Sequence, residues 1–446
     1  MNSKYQILLP EWIVTVNPGF EVLTDYALII KDSRIHSLVP VGEINELEFI
    51  DQAVVVQLPG QALMPGLINS HTHAAMSLFR GMADDLALMD WLNNHIWPTE
   101  AKWITPQFIA DGFELSVAEM IRSGTTCMND MYYYPDLAAR SAQKMGMRTV
   151  VGLIILDFPT VWAKDAEDYL SKALAVHDEI SEYPLVSSTL APHAPYTVSD
   201  EPLEKIAMYS NELELPVHMH IHETASEVIE AEKNTGKRPL ERLDQLNLLN
   251  PNLIAVHMTQ LNAAEVERLA ETGAHIVHCP EANLKLASGI CPVATLQDNG
   301  VNVCLGTDGA ASNNDLDLFS EMRTAALLAK GVSGDASACS ARQTIEMATI
   351  NGAKALGLAA DIGSIEIGKF ADLIAVDLSQ LNTQPLYDVA AQLVYATNSR
   401  QVSHVWIDGV CQLEDYQFSQ IDEMAIIHKA KSWANKIRPI KIRDRK

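Results

Sequence analysis

The middle of the chain, from Pro65 to about Leu356, alternates between short apolar runs and longer stretches with apolar residues every three to four positions. The short runs are typical of buried strands and the longer stretches of amphipathic helices. Eight runs occur, namely Ile68–Ser70, Thr125–Met128, Thr149–Ile155, Ser187–Leu190, Pro216–His220, Leu253–Val256, His275–Val277 and Val301–Leu305. Alternating strands and helices favour a parallel sheet, and eight repeats favour a closed (β/α)8 TIM barrel.

Both ends of the chain are rich in Ile, Val and Leu in a pattern that predicts strands. The strand-like segments are Tyr5–Val16, Tyr26–Val39, Phe370–Leu378 and Val402–Leu413. We therefore predict a discontinuous β-sandwich domain from residues 1–63 and 360–420, flanking a barrel domain over 64–359. The remaining part, 421–446, is predicted to hold a helix over Ile421–Ile437 and a basic tail.

Composition and charge narrow the class of protein. Hydrophobic residues make up 48% of the chain, but no apolar run reaches the roughly 18 residues that a membrane span needs. The formal net charge of -25 disfavours a nucleic-acid partner, because both surfaces would be strongly negative. The first residues, Met1–Phe20, lack the pattern of a signal peptide. We therefore expect a cytoplasmic protein without a membrane or nucleic-acid partner.

Three features of the sequence resemble other binding sites, but each has an ordinary structural explanation. The 6 cysteines form no CxxC pair, so they indicate reduced, mostly buried thiols rather than a cysteine-ligated zinc site. Gly363–Lys369 fits most of a phosphate-binding loop, but Phe370 stands where that motif needs Ser or Thr, which favours a turn entering the β-domain. The run Tyr132–Tyr134 could stack on a ring, yet loop packing explains it equally well.

Polar side chains that can perform chemistry occupy or follow the predicted barrel strands, at whose carboxyl ends barrel active sites lie. These candidates are His71, His73, Asn129, Asp130, His193, His218, His220, His222, Glu223, His257, His275, His278 and Asp308. A random scatter of 14 histidines would not favour strand ends so strongly. We therefore expect the active site at the carboxyl end of the barrel.

Several histidines have the spacing of metal ligands. His71 and His73 are two residues apart, so in a strand both imidazoles point to one face and can enter the barrel together. An isolated His-x-His is a weak signal, but candidates at other strand ends strengthen it. Three neutral imidazoles and one carboxylate suit Zn²⁺. His218, His220 and His222 could share one face, and spacing alone does not decide which of them reaches a central metal.

Two acidic residues complete the candidate set. Asp308 follows an apolar strand, and Ser312–Asn314 are better placed to cap the next helix, so we expect its carboxylate to be free for a metal or a proton. Glu223 begins the loop after the fifth run and is a candidate general acid/base. A carboxylate at this position also suits a helix N-terminus, because the helix dipole favours negative charge there.

Longer stretches of the sequence resemble the amidohydrolase superfamily, and the resemblance covers nearly the whole chain. The stretches that carry it are Met64–His73, Gly306–Gly309, Asn351–Gly357 and Gly363–Ile374. Within that superfamily the chain is most similar to the 5-methylthioadenosine/S-adenosylhomocysteine deaminases, through Trp97–Glu100, Ala191–His193, His220–Glu223, Ala282–Leu286 and Asp308–Asn313. The resemblance implies zinc-dependent hydrolytic deamination of an adenine nucleoside, a small-molecule substrate, on a TIM barrel.

The resemblance also implies roles for individual residues. The ligands of a single metal ion, Zn²⁺ or another divalent metal such as Fe²⁺, are matched by His71, His73, His220 and Asp308. Glu223 matches the acid/base glutamate that also contacts the substrate, and His257 matches the histidine that contacts the attacking water. Asp308 additionally takes part in proton transfer. Glu100 and His193 match substrate-binding positions that hold the nucleoside.

Departures from the family pattern and rival functions bear on the substrate. Ala282 stands where many relatives carry serine. No arginine matches those that bind the homocysteine carboxylate, and this absence favours methylthioadenosine over S-adenosylhomocysteine as the substrate. The nearest rival is a related aminohydrolase or chlorohydrolase acting on guanine, a pterin or an s-triazine. A two-metal amide-ring hydrolase is disfavoured because such sites often use a modified lysine to bridge the metals, and the fourth run ends in His193 without a lysine. A non-catalytic binding protein is disfavoured because the set of metal ligands at the strand ends is nearly complete. The resemblance is compatible with a homo-oligomer.

Overall fold

The computed structural model describes residues 4–438, which form one eight-stranded and one nine-stranded sheet with helices around them. The strands are β1 (Tyr5–Val14), β2 (Val22–Leu23), β3 (Tyr26–Lys31), β4 (Arg34–Pro40), β5 (Val54–Pro65), β6 (Leu67–Thr72), β7 (Thr125–Tyr132), β8 (Arg148–Ile155), β9 (Val186–Pro192), β10 (Val217–Ile221), β11 (Leu253–His257), β12 (His275–His278), β13 (Asn302–Leu305), β14 (Leu373–Asp377), β15 (Val402–Ile407), β16 (Val410–Glu414) and β17 (Gln417–Phe418).

The α-helices are α1 (Leu88–Trp91), α2 (Trp97–Trp103), α3 (Pro106–Arg122), α4 (Pro135–Met145), α5 (Ala166–Ile180), α6 (Asp200–Leu213), α7 (Ala225–Thr235), α8 (Pro239–Gln245), α9 (Ala263–Thr272), α10 (Pro280–Lys285), α11 (Val293–Asp298), α12 (Leu318–Ser333), α13 (Ala341–Met347), α14 (Ile350–Ala355), α15 (Val389–Tyr395) and α16 (Glu423–Ile437). A π-helical turn, Leu92–Ile96, joins α1 to α2. Short 3₁₀ turns lie at Val41–Glu46, Ile50–Gln52, Ala74–Phe79, Leu381–Thr383 and Ser399–Gln401.

The eight strands β6 to β13 pair in sequence order, all parallel, so the predicted (β/α)8 barrel is confirmed. Every residue of β7 and β8 is buried, as expected for strands that have helices outside and side chains inside. Hydrogen bonds also join β6 to the segment that directly follows β13. Asn69 Nδ2 donates to Thr307 Oγ1 at 2.8 Å, and the Asp308 N–H donates to the His71 carbonyl at 3.0 Å.

The terminal segments form a mixed sheet in the order β17-β16-β15-β14-β5-β1-β3-β4, with β2 paired to β1. Its two halves also contact each other directly. Gln6 on β1 accepts a hydrogen bond from Trp406 Nε1 at 3.2 Å and donates to the Gly409 carbonyl at 2.8 Å, although β15 lies three strands away. The predicted small β-domain built from both termini is therefore confirmed. Its residue boundaries stay a prediction, since α15, inside the 360–420 stretch, packs against α13.

A buried ion pair joins the two domains at the end of the barrel opposite to the strands' carboxyl ends. Arg148, the first residue of β8, donates to both oxygens of Asp372 at 2.6 and 3.0 Å. Both side chains are buried, and the two-pronged contact compensates for the cost of removing the charges from water. Nearby, Gly363–Lys369 forms a turn before β14, as predicted, and Lys369 Nζ donates to the Ala359 carbonyl at 2.6 Å.

The insertion between β6 and β7 contributes α1, the π-helical turn and α2 to the carboxyl end of the barrel, while α3 packs outside it. The C-terminal helix α16, predicted over Ile421–Ile437, packs on α3, where Trp433 Nε1 donates to Asp111 Oδ2 at 2.9 Å. The predicted basic tail lies outside the described residues. Within residues 4–438, no helix has both the length and the apolar character needed to cross a membrane.

Candidate metal centre and active site

Four side chains meet at the carboxyl end of the barrel with the geometry of a metal site. The candidate ligand atoms of His71, His73, His220 and Asp308 all lie within 4.8 Å of one another. Asp308 Oδ1 is 3.3 Å from His71 Nε2 and 3.2 Å from His73 Nε2. Ligands of a tetrahedral zinc ion, each about 2.0–2.1 Å from the metal, lie about 3.3 Å apart. The buried His71 Nε2 has no hydrogen-bond partner in the described part of the chain, so the donor set fits Zn²⁺.

The other ring nitrogen of each histidine fixes its orientation. His71 Nδ1 lies 2.9 Å from His218 Nε2. His73 Nδ1 lies 2.5 Å from the Met131 carbonyl oxygen, and His220 Nδ1 lies 2.7 Å from the His193 carbonyl oxygen. Contacts of this kind select the tautomer and the ring orientation of metal-binding histidines. They leave Nε2 of all three rings directed at the shared centre.

The three histidines of the fifth barrel strand have different surroundings. His220 belongs to the metal cluster, and His218, two residues earlier on the same face, contacts His71. His222 has a left-handed backbone with φ of 53°, and its Nε2 accepts from the Leu240 N–H at 3.3 Å. The expectation that all three could share one face is therefore wrong for His222, because β10 ends at Ile221 and the backbone turns there.

Burial sets the protonation of the cluster. It lowers the pKa of His71 to about 4 and holds the pKa of His220 well below the ordinary value. Burial opposes ionisation of Asp308, but the close approach of the His71 and His73 rings keeps its pKa well below the usual range. Metal ligation requires neutral imidazoles and an ionised carboxylate. The shifts of His71, His220 and Asp308 favour that combination of protonation states, whereas at His73 burial is outweighed by Asp308, which raises the pKa of the ring.

The backbone at Asp308 aims its carboxylate at the cluster. Its φ of 60° is left-handed, a conformation that costs free energy in a non-glycine residue and is common at functional sites. The Gly309 N–H donates to Oδ1 at 2.8 Å, and Ser312 Oγ donates to Oδ2 at 2.7 Å. Both bonds stabilise the ionised carboxylate in this orientation.

The expectation that Ser312–Asn314 cap the next helix is wrong. Helix α12 begins at Leu318, and its N-cap is Asp317, whose side chain accepts from the Phe319 N–H at 2.9 Å. The Ser312–Asn314 segment instead supports the loop that carries the site. Its Asn313 Nδ2 donates to the fully buried carboxyl of Glu321 at 2.6 Å.

Glu223 and His257 face each other beside the cluster, with Glu223 Oε2 3.9 Å from His257 Nε2. Burial raises the pKa of Glu223 well above its ordinary value, and the negative charges of Asp308 and Glu227 raise it further. Burial lowers the pKa of His257 to about 3, so its ring is neutral. Asn283 Nδ2 donates to His257 Nδ1 at 3.0 Å, which leaves the ring hydrogen on Nε2. A protonated carboxyl and an N–H donor therefore point into the same space.

Glu223 lies just before α7 and does not serve as a helix-terminal carboxylate. The N-cap of α7 is Thr224, whose hydroxyl accepts from the Glu227 N–H. The Glu227 carboxylate in turn accepts from the N–H groups of His222 and Glu223 at 3.0 and 2.7 Å. This clamp on the backbone holds the Glu223 side chain toward the cluster.

The cluster opens into a cavity at the carboxyl end of the barrel. The predicted site residues that line it are His73, Glu100, His193, His220, Glu223, His257 and Asp308, with the fully buried His71 behind them. Much of the remaining wall is apolar, including Trp91, Ile96 and Trp97 from the insertion. A cavity with apolar walls and a few convergent polar groups suits a small organic molecule.

Glu100 and His193, the two residues predicted to hold the nucleoside, occupy separate parts of this cavity wall. Glu100 on α2 is buried, accepts a hydrogen bond from the Tyr132 hydroxyl at 2.6 Å, and has its pKa raised by burial to about 7. His193 follows β9, and its Nδ1 lies 3.1 Å from Thr197 Oγ1. Burial lowers the pKa of His193 to about 3, so the cavity meets a neutral ring.

Tyr132 is a site residue for which the sequence left two interpretations open, stacking on a ring and loop packing. The predicted strand ended at Met128, whereas β7 continues to Tyr132 and brings its ring to the cavity wall. A correct prediction of where this strand ends would have placed Tyr132 at the cavity.

Asn129 and Asp130, expected at this strand end, instead form hydrogen bonds with the backbone of β6 and of the residues that follow it. His275 lies at the opposite end of β12, and its Nδ1 contacts Asn302.

Comparisons with known proteins agree with this geometry. A family model described as "Amidohydrolase family" matches residues 62–411. The 5-methylthioadenosine/S-adenosylhomocysteine deaminase of Saccharophagus degradans is 50% identical, over 97% of this chain and 96% of the relative. The protein of the same name from Teredinibacter turnerae is 48% identical, over 96% of each chain. The crystal structure of an adenosine deaminase from Xanthomonas campestris with bound zinc is 48% identical, with a TM-score of 0.94 over 97% of this chain and 98% of that chain.

The matched region contains all eight barrel strands and the four clustered side chains. The similarity therefore includes the residues that form the candidate site as well as the scaffold. Because it extends over nearly the full length of the relatives, the family assignment applies to the whole described fold. The chain belongs to the amidohydrolase family.

Proposed function

We propose that the protein is a zinc-dependent aminohydrolase that converts an adenine nucleoside and water into the inosine analogue and ammonia. One observation carries the proposal: a metal-type cluster and the buried Glu223 share a cavity with a second buried glutamate, Glu100. The names of the relatives point to 5-methylthioadenosine, S-adenosylhomocysteine and adenosine as candidate substrates.

The chemistry follows from the protonation states of the site. Zn²⁺ held by the cluster supplies a Lewis acid that lowers the pKa of water to about 7. Asp308, ionised and adjacent, accepts a proton from the water that attacks carbon 6 of the ring. Glu223 donates its proton to ring nitrogen N1, so that no full negative charge builds up on the ring. The His257 Nε2–H group donates a hydrogen bond to the attacking oxygen. Asp308 passes the proton that it took from the water to the amino group, which leaves as ammonia, and the remaining hydroxyl proton returns to Glu223 as the carbonyl forms.

Glu100 gives the site its preference for nucleosides. Its carboxylate accepts hydrogen bonds from the ribose hydroxyls, which a free base lacks. Leaving such a buried polar group without a partner costs binding energy, so compounds without the ribose are disfavoured. Substrate recognition and proton transfer are therefore assigned to different carboxyl groups, Glu100 and Glu223.

Glu100→Ala should lower kcat/KM for adenosine about 10- to 100-fold more than kcat/KM for adenine, the loss expected for hydrogen bonds to a charged group. Ammonia release by the zinc-loaded variant measures both values. Because burial raises the pKa of Glu100 to about 7, the wild-type KM for adenosine should also rise as the pH falls below about 7, where the carboxylate takes up a proton. The matched control is Glu204→Ala, an exposed glutamate on α6. Equal losses for adenosine and adenine would remove the assigned role of Glu100.

We also propose that the protein acts in the cytoplasm. The support is its cysteine chemistry, since all six cysteines are free and burial keeps five of them from solvent. The homo-oligomer suggested by the family resemblance stays a prediction, which size-exclusion chromatography with light scattering would check.

A further inference from the structure

Tyr132 and Glu100 form a buried hydrogen bond between two different parts of the fold. Tyr132 is the last residue of β7, whereas Glu100 lies on α2 in the insertion between β6 and β7. The Tyr132 hydroxyl donates to Glu100 Oε1 at 2.6 Å, and each residue is only 7% exposed. The bond therefore ties the carboxyl group on the insertion to a strand of the barrel.

This bond restricts the Glu100 side chain before any ligand arrives. A glutamate has several rotatable side-chain bonds, and ordering them on binding weakens affinity, whereas a side chain ordered in advance avoids that loss. With Oε1 held by Tyr132, the plane of the carboxylate is defined and Oε2 keeps its accepting capacity for a ligand. A charge-assisted O–H···O⁻ bond of this length is among the stronger neutral–charged contacts in proteins.

We propose that Tyr132 is a positioning residue that sets the selectivity for nucleosides, by holding Glu100 in the orientation that accepts hydrogen bonds from the ribose hydroxyls. The inference rests on the proposed function and extends it to a residue outside the acid/base and metal groups. It gives Tyr132 a role through Glu100, in addition to the packing of its ring.

Packing and positioning can be separated because the ring and the hydroxyl of Tyr132 have different contacts. The ring lies 5.1 Å from the Tyr133 ring and 6.3 Å from the His73 ring, between centroids, and phenylalanine keeps both contacts. Only the hydroxyl reaches Glu100. Tyr134 offers a matched control, because its hydroxyl donates to the Val161 carbonyl at 3.0 Å, away from Glu100.

The test compares zinc-loaded wild type, Tyr132→Phe and Tyr134→Phe with adenosine and with 2',3'-dideoxyadenosine, which lacks the 2' and 3' hydroxyls of the ribose. In Tyr132→Phe, kcat/KM for adenosine should fall about 10-fold or more, mainly through KM, as expected for the loss of one hydrogen bond to a charged group. The value for the dideoxy compound should stay within about twofold of wild type. Tyr134→Phe should keep the wild-type ratio of the two values.

A double substitution tests whether Tyr132 acts through Glu100. In a Glu100→Ala background, Tyr132→Phe should cause no further loss for adenosine, because the side chain that it positions is gone. An equal fall for both compounds in the single variant, or an additive loss in the double variant, would overturn the inference while leaving the deaminase assignment intact. If zinc-loaded wild type releases ammonia from neither compound, the proposed function fails and takes this inference with it. Circular dichroism and zinc content identify any variant that has not folded.

Discussion

His71→Ala should remove both metal binding and turnover. His71 is fully buried, and its Nε2 is directed at the shared centre together with His73, His220 and Asp308. Without this imidazole, three ligands remain around a cavity that the surrounding side chains cannot fill. The zinc content of purified, dialysed protein should fall from about one ion per chain, the stoichiometry of a mononuclear site, to near zero. Ammonia release should fall to background.

His275→Ala serves as the control for this experiment. His275 is also a histidine of a barrel strand, but it begins β12 at the opposite end of the barrel and contacts Asn302. Its replacement should leave the zinc content unchanged and the protein active. A His71→Ala protein that keeps one zinc ion per chain and wild-type turnover would show that the metal site has been assigned to the wrong residues.

Glu223→Gln should retain zinc and the fold but lower kcat about 10²- to 10⁴-fold, the range that general acid/base catalysis supplies. Glutamine has nearly the same shape, and the backbone clamp from the Glu227 carboxylate stays in place. What is lost is the carboxyl group that donates the proton, whose pKa burial raises well above its ordinary value. Stopped assays of ammonia release, with zinc analysis of the same samples, measure both properties.

The comparison with His71→Ala makes this result specific. A loss of activity with full zinc content assigns Glu223 to proton transfer, whereas a parallel loss of zinc would indicate a general disturbance of the site. Glu204→Gln, a substitution on the surface of α6, controls for a glutamate-to-glutamine replacement outside the site. Deamination near the wild-type rate by zinc-loaded Glu223→Gln would rule out the assigned proton donor.

The fold could be predicted from the sequence because each barrel repeat carries a local pattern. Buried strands such as β8 are continuous apolar runs, and the amphipathic helices between them repeat every three to four residues. The candidate ligands could also be located, because strand ends converge in a barrel wherever they lie in the sequence. His71 and Asp308, at opposite ends of the barrel sequence, were both identified on that basis.

What could not be predicted depends on backbone turns and on long-range contacts. The left-handed residue at His222 removes its ring from the face of β10, and hydrophobic periodicity does not report such a turn. The N-cap of α12 is Asp317 because the loop after Asp308 is longer than the sequence pattern indicated. Tyr132 meets Glu100 across a separation of 32 residues, a contact that only the packed insertion creates.

The most direct test of the account is a steady-state assay of zinc-loaded protein with 5-methylthioadenosine, S-adenosylhomocysteine, adenosine, adenine and guanine. Ammonia release and the ultraviolet shift of the purine would be followed together. The account predicts one ammonia for each inosine analogue formed from an adenine nucleoside, with a much lower kcat/KM for the free bases. Protein that contains about one zinc ion per chain, as a mononuclear site requires, and yet deaminates none of the adenine nucleosides would contradict it.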